Sequence, residues 1–154
     1  MELIDALAAR LAELEVAAAR FPGEARFVVP IAGSSGHYMC FLQVDGDQVV
    51  RCTSHCPLVV PAGRLAETGR LVQRVNAGLR LGAFELDAEG SLRFETAVDL
   101  AGAELSTAML APLLFGNAMM LDDWLPAIID VTYLRMDPDL AWAAAQARLE
   151  SEGG

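Results

Sequence analysis

The chain has 154 residues, 54% of them hydrophobic, and a formal net charge of −10 with no lysine among its eleven cations. This length fits one domain, residues 1–154, and the mean hydropathy of +0.36 excludes a disordered chain. The acidity disfavours direct nucleic-acid binding, because such binding needs a basic surface that neutralises phosphates.

The first half of the chain predicts one helix and three strands. Leucines spaced by four, four and three residues indicate an amphipathic helix over residues 3–20. A strand follows over residues 26–32, in which Pro30 is typical of a sheet edge. Residues 37–55 predict two further strands, joined by a hairpin turn around Gly46.

The next region predicts a helix and a hairpin. Residues 61–80 have apolar positions on one helical face, and Gly82 is placed to end that helix. A three-residue loop at 88–90 makes residues 83–100 a β-hairpin with attractive pairs on both faces. The register predicts three cross-strand pairs, Leu86 with Leu92, Phe84 with Phe94, and Glu85 with Arg93.

The last third of the chain predicts helices only. A long helical stretch covers residues 105–134, where Pro112 and Pro126 are expected to kink or divide it. A final helix over residues 137–150 has Asp137 as its N-cap. The order α-β-β-β-α-β-β-α-α is typical of an α+β fold with an antiparallel sheet flanked by helices.

The sequence also predicts a soluble, cytoplasmic protein without membrane contact. Its longest apolar stretch, residues 108–121, contains Asn117 and is shorter than the about 20 residues that span a bilayer. The first residues lack the basic region and continuous apolar run of a secretory signal. An odd number of cysteines, three, argues against a disulfide framework.

One cluster invites a chemical interpretation, since all five cysteines and histidines lie within twenty residues: His37, Cys40, Cys52, His55 and Cys56. Such residues could bind zinc or supply a reactive thiol. Strand alternation, however, places Cys52 and Cys56 on one face and His55 on the other. The structural interpretation is therefore favoured, with cysteines as small buried residues. A metal- or thiol-dependent protein built on this cluster remains the alternative.

Other candidate motifs have simpler explanations. The serines of residues 33–36 lack the spacing of a nucleophile elbow and predict a turn. Alternating carboxylates on the 83–100 hairpin are typical of a solvated strand face. The apolar side chains of the long helical stretch suit either the core or an adaptable interface. We expect partner or dimer contacts from five of them, namely Met109, Leu113, Phe115, Met119 and Met120.

Residues 76–107 and 122–133 resemble the bacterial YbjN family. The resemblance rests on an Asn-x-Gly-Leu helix end, a Gly-x-Phe-Glu-Leu-Asp strand, a turn glycine, an aromatic-x-Thr strand and a Leu-Pro-Ala segment. The residues that carry it are Asn76, Gly78, Leu79, Gly82, Phe84, Glu85, Leu86, Asp87, Gly90, Phe94, Thr96, Leu125, Pro126 and Ala127.

The resemblance implies a fold similar to type III secretion chaperones, commonly assembled as a homodimer, and no enzymatic activity, cofactor or metal. With the apolar composition, it predicts a chaperone-like regulatory or adaptor protein that binds another protein. The acidic charge favours a client of basic character, perhaps one that itself binds nucleic acid. A signalling domain that senses a small molecule is a further alternative.

Overall fold

The computed structural model of the chain describes residues 1–153. Its elements follow in the order α1 (Leu3–Glu13), β1 (Ala19–Arg20), β2 (Arg26–Ala32), β3 (His37–Asp45), β4 (Val49–Val59), α2 (Leu65–Ala77), β5 (Ala83–Leu86), β6 (Ser91–Asp99), α3 (Thr107–Ala111), α4 (Asn117–Thr132) and α5 (Pro138–Gly153). A 3₁₀ turn (Ala62–Arg64) precedes α2, and a π-helical segment (Pro112–Gly116) joins α3 to α4.

The strands form one antiparallel sheet in the order β1-β2-β3-β4-β6-β5. Side chains alternate between its faces, and along β3 the buried ones are Tyr38, Cys40, Leu42 and Val44. The helices pack against this face and share one hydrophobic core with it, while the opposite face carries polar residues. This confirms the predicted α+β fold with an antiparallel sheet flanked by helices.

The β5–β6 hairpin has the predicted register. Phe84 lies opposite Phe94, Leu86 opposite Leu92 and Glu85 opposite Arg93, whose guanidinium contacts Glu85 at 2.8 Å. Gly90 has the positive φ of 87° that its loop position requires. A Cβ there would also overlap the carbonyl of Val60, so this turn accepts glycine only.

Two predicted helix ends were wrong. The first helix stops at Glu13 rather than residue 20, because Glu15 adopts φ 57° and turns the chain into the short strand β1. The second helix ends at Ala77, with Gly78 as its cap, rather than at Gly82. Gly82 instead begins the approach to β5, where a Cβ would lie 2.7 Å from the Phe94 ring.

The prolines of the long helical stretch act differently. Pro112 opens the π-helical segment and so divides the stretch as predicted, because proline cannot donate the hydrogen bond that continues a helix. Pro126 lies inside α4 without ending it. The predicted N-cap of the last helix is confirmed, since Asp137 Oδ2 accepts from the N–H of Asp139 at 3.0 Å.

Asn76 closes the β5 edge of the sheet. Its side-chain amide donates to the carbonyl of Phe84 at 2.9 Å and accepts from the N–H of Phe84 at 2.8 Å. Both Phe84 groups point away from β6, so the amide bonds them as a neighbouring strand would. This gives the asparagine of the helix-end motif a structural role.

We expect Asn76→Ala to lower the free energy of unfolding by about 1–3 kcal/mol, since it leaves the Phe84 N–H and C=O without partners. Urea denaturation would measure the loss. Gln73→Ala, one turn earlier and exposed on the same helix, should change stability by less than about 0.5 kcal/mol. Equal effects of the two substitutions would contradict the role assigned to Asn76.

Candidate functional site

The cysteine–histidine cluster is split between the two faces of the sheet. Cys40 and Cys52 are fully buried on the helix side, and His37 and His55 are exposed on the other. The pairing of β4 with β6 becomes irregular only after His55. That irregularity therefore leaves the histidines away from the buried thiols. Residues 1–153 contain no group of three His, Cys, Asp or Glu side chains able to hold a metal ion.

The thiols also lack the environment of a nucleophile. Burial raises the pKa of the Cys56 thiol, against a smaller effect of a hydrogen bond with the Leu58 backbone. A hydrogen bond with Cys40, and then burial, raise the pKa of the Cys52 thiol. Burial and the positive charge of Arg93 lower the pKa of His55. The Cys52 and Cys56 thiols are consequently protonated near neutral pH. The hydrogen bond with Cys52 outweighs burial and lowers the pKa of the Cys40 thiol, but this side chain is fully buried and has no access to a substrate. These environments do not favour the thiol-dependent alternative.

The turn between β2 and β3 holds a carboxylate from α4. Asp122 accepts from the N–H groups of Ser34 at 3.0 Å and Ser35 at 2.8 Å, and from the Tyr38 hydroxyl at 2.6 Å. Gly33 lies so close to this carboxylate that a Cβ would overlap it. The predicted turn is thus also a clasp that fixes α4 to the sheet.

The adjacent carboxyls of α4 have opposite pKa shifts. Burial raises the pKa of Asp122, but the hydrogen bonds from Tyr38, Ser35 and Ser34 together outweigh burial, and the net direction is downward. Burial and the neighbouring charge of Asp122 raise the pKa of Asp123, with a smaller opposing effect of Arg148. Asp122 is thus stabilised as an anion, whereas Asp123 is not.

Asn117 ties the helical layer to the middle of the sheet. Its side chain is fully buried and accepts a hydrogen bond from the Ser54 hydroxyl. Its amide nitrogen lies 3.0 Å from the Cys52 carbonyl and 3.0 Å from Thr96 Oγ1. Thr96 in turn donates to the carbonyl of Leu113 at 2.9 Å. These contacts hold the π-helical segment at a fixed position beside β6.

An apolar groove of about 480 Å³ lies between β6, the loop before β5 and the π-helical segment. Its walls include Leu81, Thr96, Val98, Met109, Leu113 and Met120. Methionine side chains are flexible and polarizable, so such a wall can adapt to different apolar surfaces. The groove can therefore bind an apolar segment but offers no set of groups for catalysis.

The predicted contact residues do not all lie together. Met109, Leu113 and Met120 line the groove. Leu113 is nevertheless almost fully buried and serves mainly as its floor. Phe115 is half-buried against the core, and Met119 is 63% exposed outside the groove. These two residues belong to a different part of the surface.

The residues on the other side of the groove could not be recognised from the sequence. Leu81 is 81% exposed, and Thr96 and Val98 belong to β6, which the sequence predicted only as the second strand of the 83–100 hairpin. The two strands of the hairpin differ in length, since β5 has four residues and β6 has nine. That difference leaves the end of β6 without a neighbour on the β5 side.

The fold, an antiparallel sheet with a helical layer on one face, is similar to that of a type III secretion chaperone. The crystal structure of the Yersinia pestis type III secretion chaperone SycH, in complex with a stable fragment of YscM2, superposes with a TM-score of 0.56 at 12% identity. The match covers 80% of this chain and 98% of SycH.

The family is identified from the sequence. Residues 3–130 match YbjN, described as "Putative bacterial sensory transduction regulator", and the chain belongs to this family. The crystal structure of YbjN from E. coli, described as a putative transcription regulator, has a TM-score of 0.57 at 10% identity, over 84% of this chain and 92% of that one. A comparison with curated proteins found no match. Among residues 1–153, no helix is long and apolar enough to cross a membrane.

We expect Asp122→Asn to destabilise the protein at pH 7 by on the order of 1–3 kcal/mol. The reason is that the turn N–H groups and the Tyr38 hydroxyl donate to a charged carboxylate, which the amide replaces with a neutral acceptor. The folded-state pKa of Asp122 lies below its unfolded value of about 3.9. Its stabilisation is therefore complete above about pH 4 and lost as the pH falls through the folded-state pKa. Denaturation of both proteins between neutral and acidic pH should show the difference shrinking.

The adjacent substitution Asp123→Asn is the matched control. Because burial raises the pKa of Asp123, its charge costs stability at neutral pH. Asp123→Asn should leave stability at pH 7 unchanged or increase it. A loss at Asp122 that did not depend on pH, or equal losses at both positions, would contradict the clasp.

Proposed function

We propose that this protein is a non-enzymatic, chaperone-like protein that binds a client protein of basic character and acts as a homodimer. The observation that carries the proposal is the methionine-walled groove, in a fold similar to that of SycH, which was crystallised with a protein fragment. The fold alone would supply only an analogy. The groove adds an apolar surface that a client segment could cover.

The charge of the chain supports the basic character of the client. Its 21 acidic residues exceed its eleven arginines, and the difference is the net charge of −10. Several arginines are already engaged, such as Arg93 with Glu85 and Arg74 with Asp139. The resulting negative potential attracts a cationic partner and speeds its association.

Met109→Gln should weaken client binding about tenfold, because it puts an amide into an apolar contact. The wild-type protein would be used to capture its client from a lysate of the source bacterium. The captured protein would then be identified, purified and titrated by calorimetry. Met39→Gln, an exposed methionine on β3 outside both the groove and the assigned dimer contact, should bind as the wild type does. Affinity should fall as the salt concentration rises.

A specific client that bound both methionine variants equally would exclude the groove as its site. A capture that returned no protein above background would contradict the proposed function itself. A client whose affinity did not respond to salt would contradict its basic character.

The homodimer is tested separately by light scattering. The expected mass is twice the 16.4 kDa of one chain. Phe115 and Met119 lie outside the groove, and we assign them to the dimer contact. Met119→Glu should therefore shift the mass toward the monomer, since it puts a charge into an apolar interface. A strictly monomeric wild-type protein would remove the homodimer from the proposal.

A further inference from the structure

The strand β6 is open over its last residues on the β5 side. The β5–β6 ladder ends where Ala83 lies opposite Glu95, and Gly82 then turns the chain away with φ 77°. On β6, Ala97 and Asp99 continue on the same side as Glu95, while the even-numbered residues face β4. Consistent with this alternation, the N–H of Leu100 donates to the Gln48 carbonyl at 3.0 Å.

The backbone groups of Ala97 and Asp99 are accordingly available for pairing. Both residues are exposed, and the side on which they direct their N–H and C=O carries no strand within residues 1–153. The apolar groove adjoins this edge, since Ala97 and Val98 line it with Met109. An open edge beside an apolar wall offers both main-chain bonds and a side-chain pocket.

The side-chain chemistry of the edge differs between its two faces. Val98 points to the helix side, as does Thr96, which bonds the Leu113 carbonyl. Asp99 points to the polar face, where its carboxylate accepts from Gln48 at 2.6 Å and from the N–H of Ala101 at 2.9 Å. Both donors are neutral, so the negative charge is left for a cation to pair.

We propose that an extended segment of the client pairs with the open edge of β6, from Ala97 to Asp99, as an added antiparallel strand. Facing residues of an antiparallel pair share a face. The segment therefore places an apolar side chain opposite Val98, in the groove, and a basic side chain opposite Asp99. This inference rests on the proposed protein-binding function and specifies where the client binds. It also specifies the client sequence: from the N- to the C-terminal side, a basic residue opposite Asp99, an apolar residue opposite Val98 and a polar residue opposite Ala97.

The other open edge is less suitable. At the end of the β2–β3 ladder, the N–H of Gly33 donates to the carbonyl of Gly36. Because backbone groups alternate in direction along a strand, those of Pro30 and Ala32 point away from β3. Proline has no N–H to donate, so this edge lacks one of the bonds that an added strand needs. Asn76 already occupies the pairing groups of Phe84 on β5.

A second copy of the chain is also a poor occupant. The open length of β6 is only a few residues, and it is bounded by Gly82 at one end and by the turn after Asp99 at the other. A two-fold pairing of two β6 edges would place the β5 strand of each copy against its partner. It would also bring the two Asp99 carboxylates close together, which costs free energy.

The test uses a synthetic peptide, acetyl-Ser-Arg-Leu-Thr-Ser-amide, and the full-length protein labelled with ¹⁵N. Saturable shifts and slowed hydrogen exchange should appear at the amides of Ala97 and Asp99. Ala97→Pro removes an outward N–H without breaking a bond inside the sheet, and it should weaken binding about tenfold. The matched control is Ala32→Pro, an exposed alanine with an outward N–H on the other edge, which should bind normally.

A second variant keeps the test decisive if Ala97→Pro does not fold. Asp99→Asn retains the acceptor for Gln48 and Ala101 but removes the charge. It should abolish the preference of the wild-type protein for this peptide over one with glutamate in place of arginine. Shifts confined to another surface, no saturable binding at millimolar peptide, or the same peptide preference in Asp99→Asn would overturn the proposed strand site.

The captured client separates this site from the function on which it rests. A client that binds Ala97→Pro as tightly as the wild type leaves the protein-binding function in place and overturns the β6 site. A dimer that dissociates on Ala97→Pro would also overturn it, because a second copy would then occupy the edge.

Discussion

The buried side chain of Asn117 joins the start of α4 to two neighbouring strands in the middle of the sheet. It bonds Ser54 and the Cys52 carbonyl on β4, and Thr96 on β6, from the first residue of α4. A buried amide with satisfied donors and acceptors accepts little displacement, because a lost bond leaves a buried polar group unpaired. The position of the helical layer over the sheet depends on this contact, and the groove depends on that position.

A second polar contact, Asp122 in the β2–β3 turn, fixes the same helix further along. Together the two contacts hold α4 at the sheet centre and near one edge. The π-helical segment opened by Pro112 directly precedes Asn117, and the groove residues Met109 and Met120 lie on the helices at its two ends. A π-segment interrupts the regular helical bonding, and such segments frequently occur at functional sites. Here it forms the wall that makes the end of β6 a groove rather than a flat sheet margin.

Much of the fold could be predicted because local patterns determine it. The β5–β6 register could be predicted because a single register pairs apolar residues on one face of the hairpin and Glu85 with Arg93 on the other. The turn at Gly90 and the division at Pro112 followed from the backbone limits of glycine and proline. The end of α1 did not follow, because residues 14–18 have no strong breaker, and only pairing with β2 makes Ala19–Arg20 a strand.

The sequence by itself determined the class of the protein: its YbjN motifs, its α+β order, its acidity, and cysteines and histidines that alternate along strands. The tertiary structure decided where the usable surface lies. Met109 and Val98 are close in sequence, but they lie on opposite walls of one groove for two tertiary reasons. The chain leaves the sheet at Gly82, and Asn117 fixes the position of the helical layer over the sheet. The interactions that place them, such as Asn117 with Cys52 and Asp122 with Ser35, join residues more than sixty positions apart. The pattern of residues within a single helix or strand gives no information about such contacts.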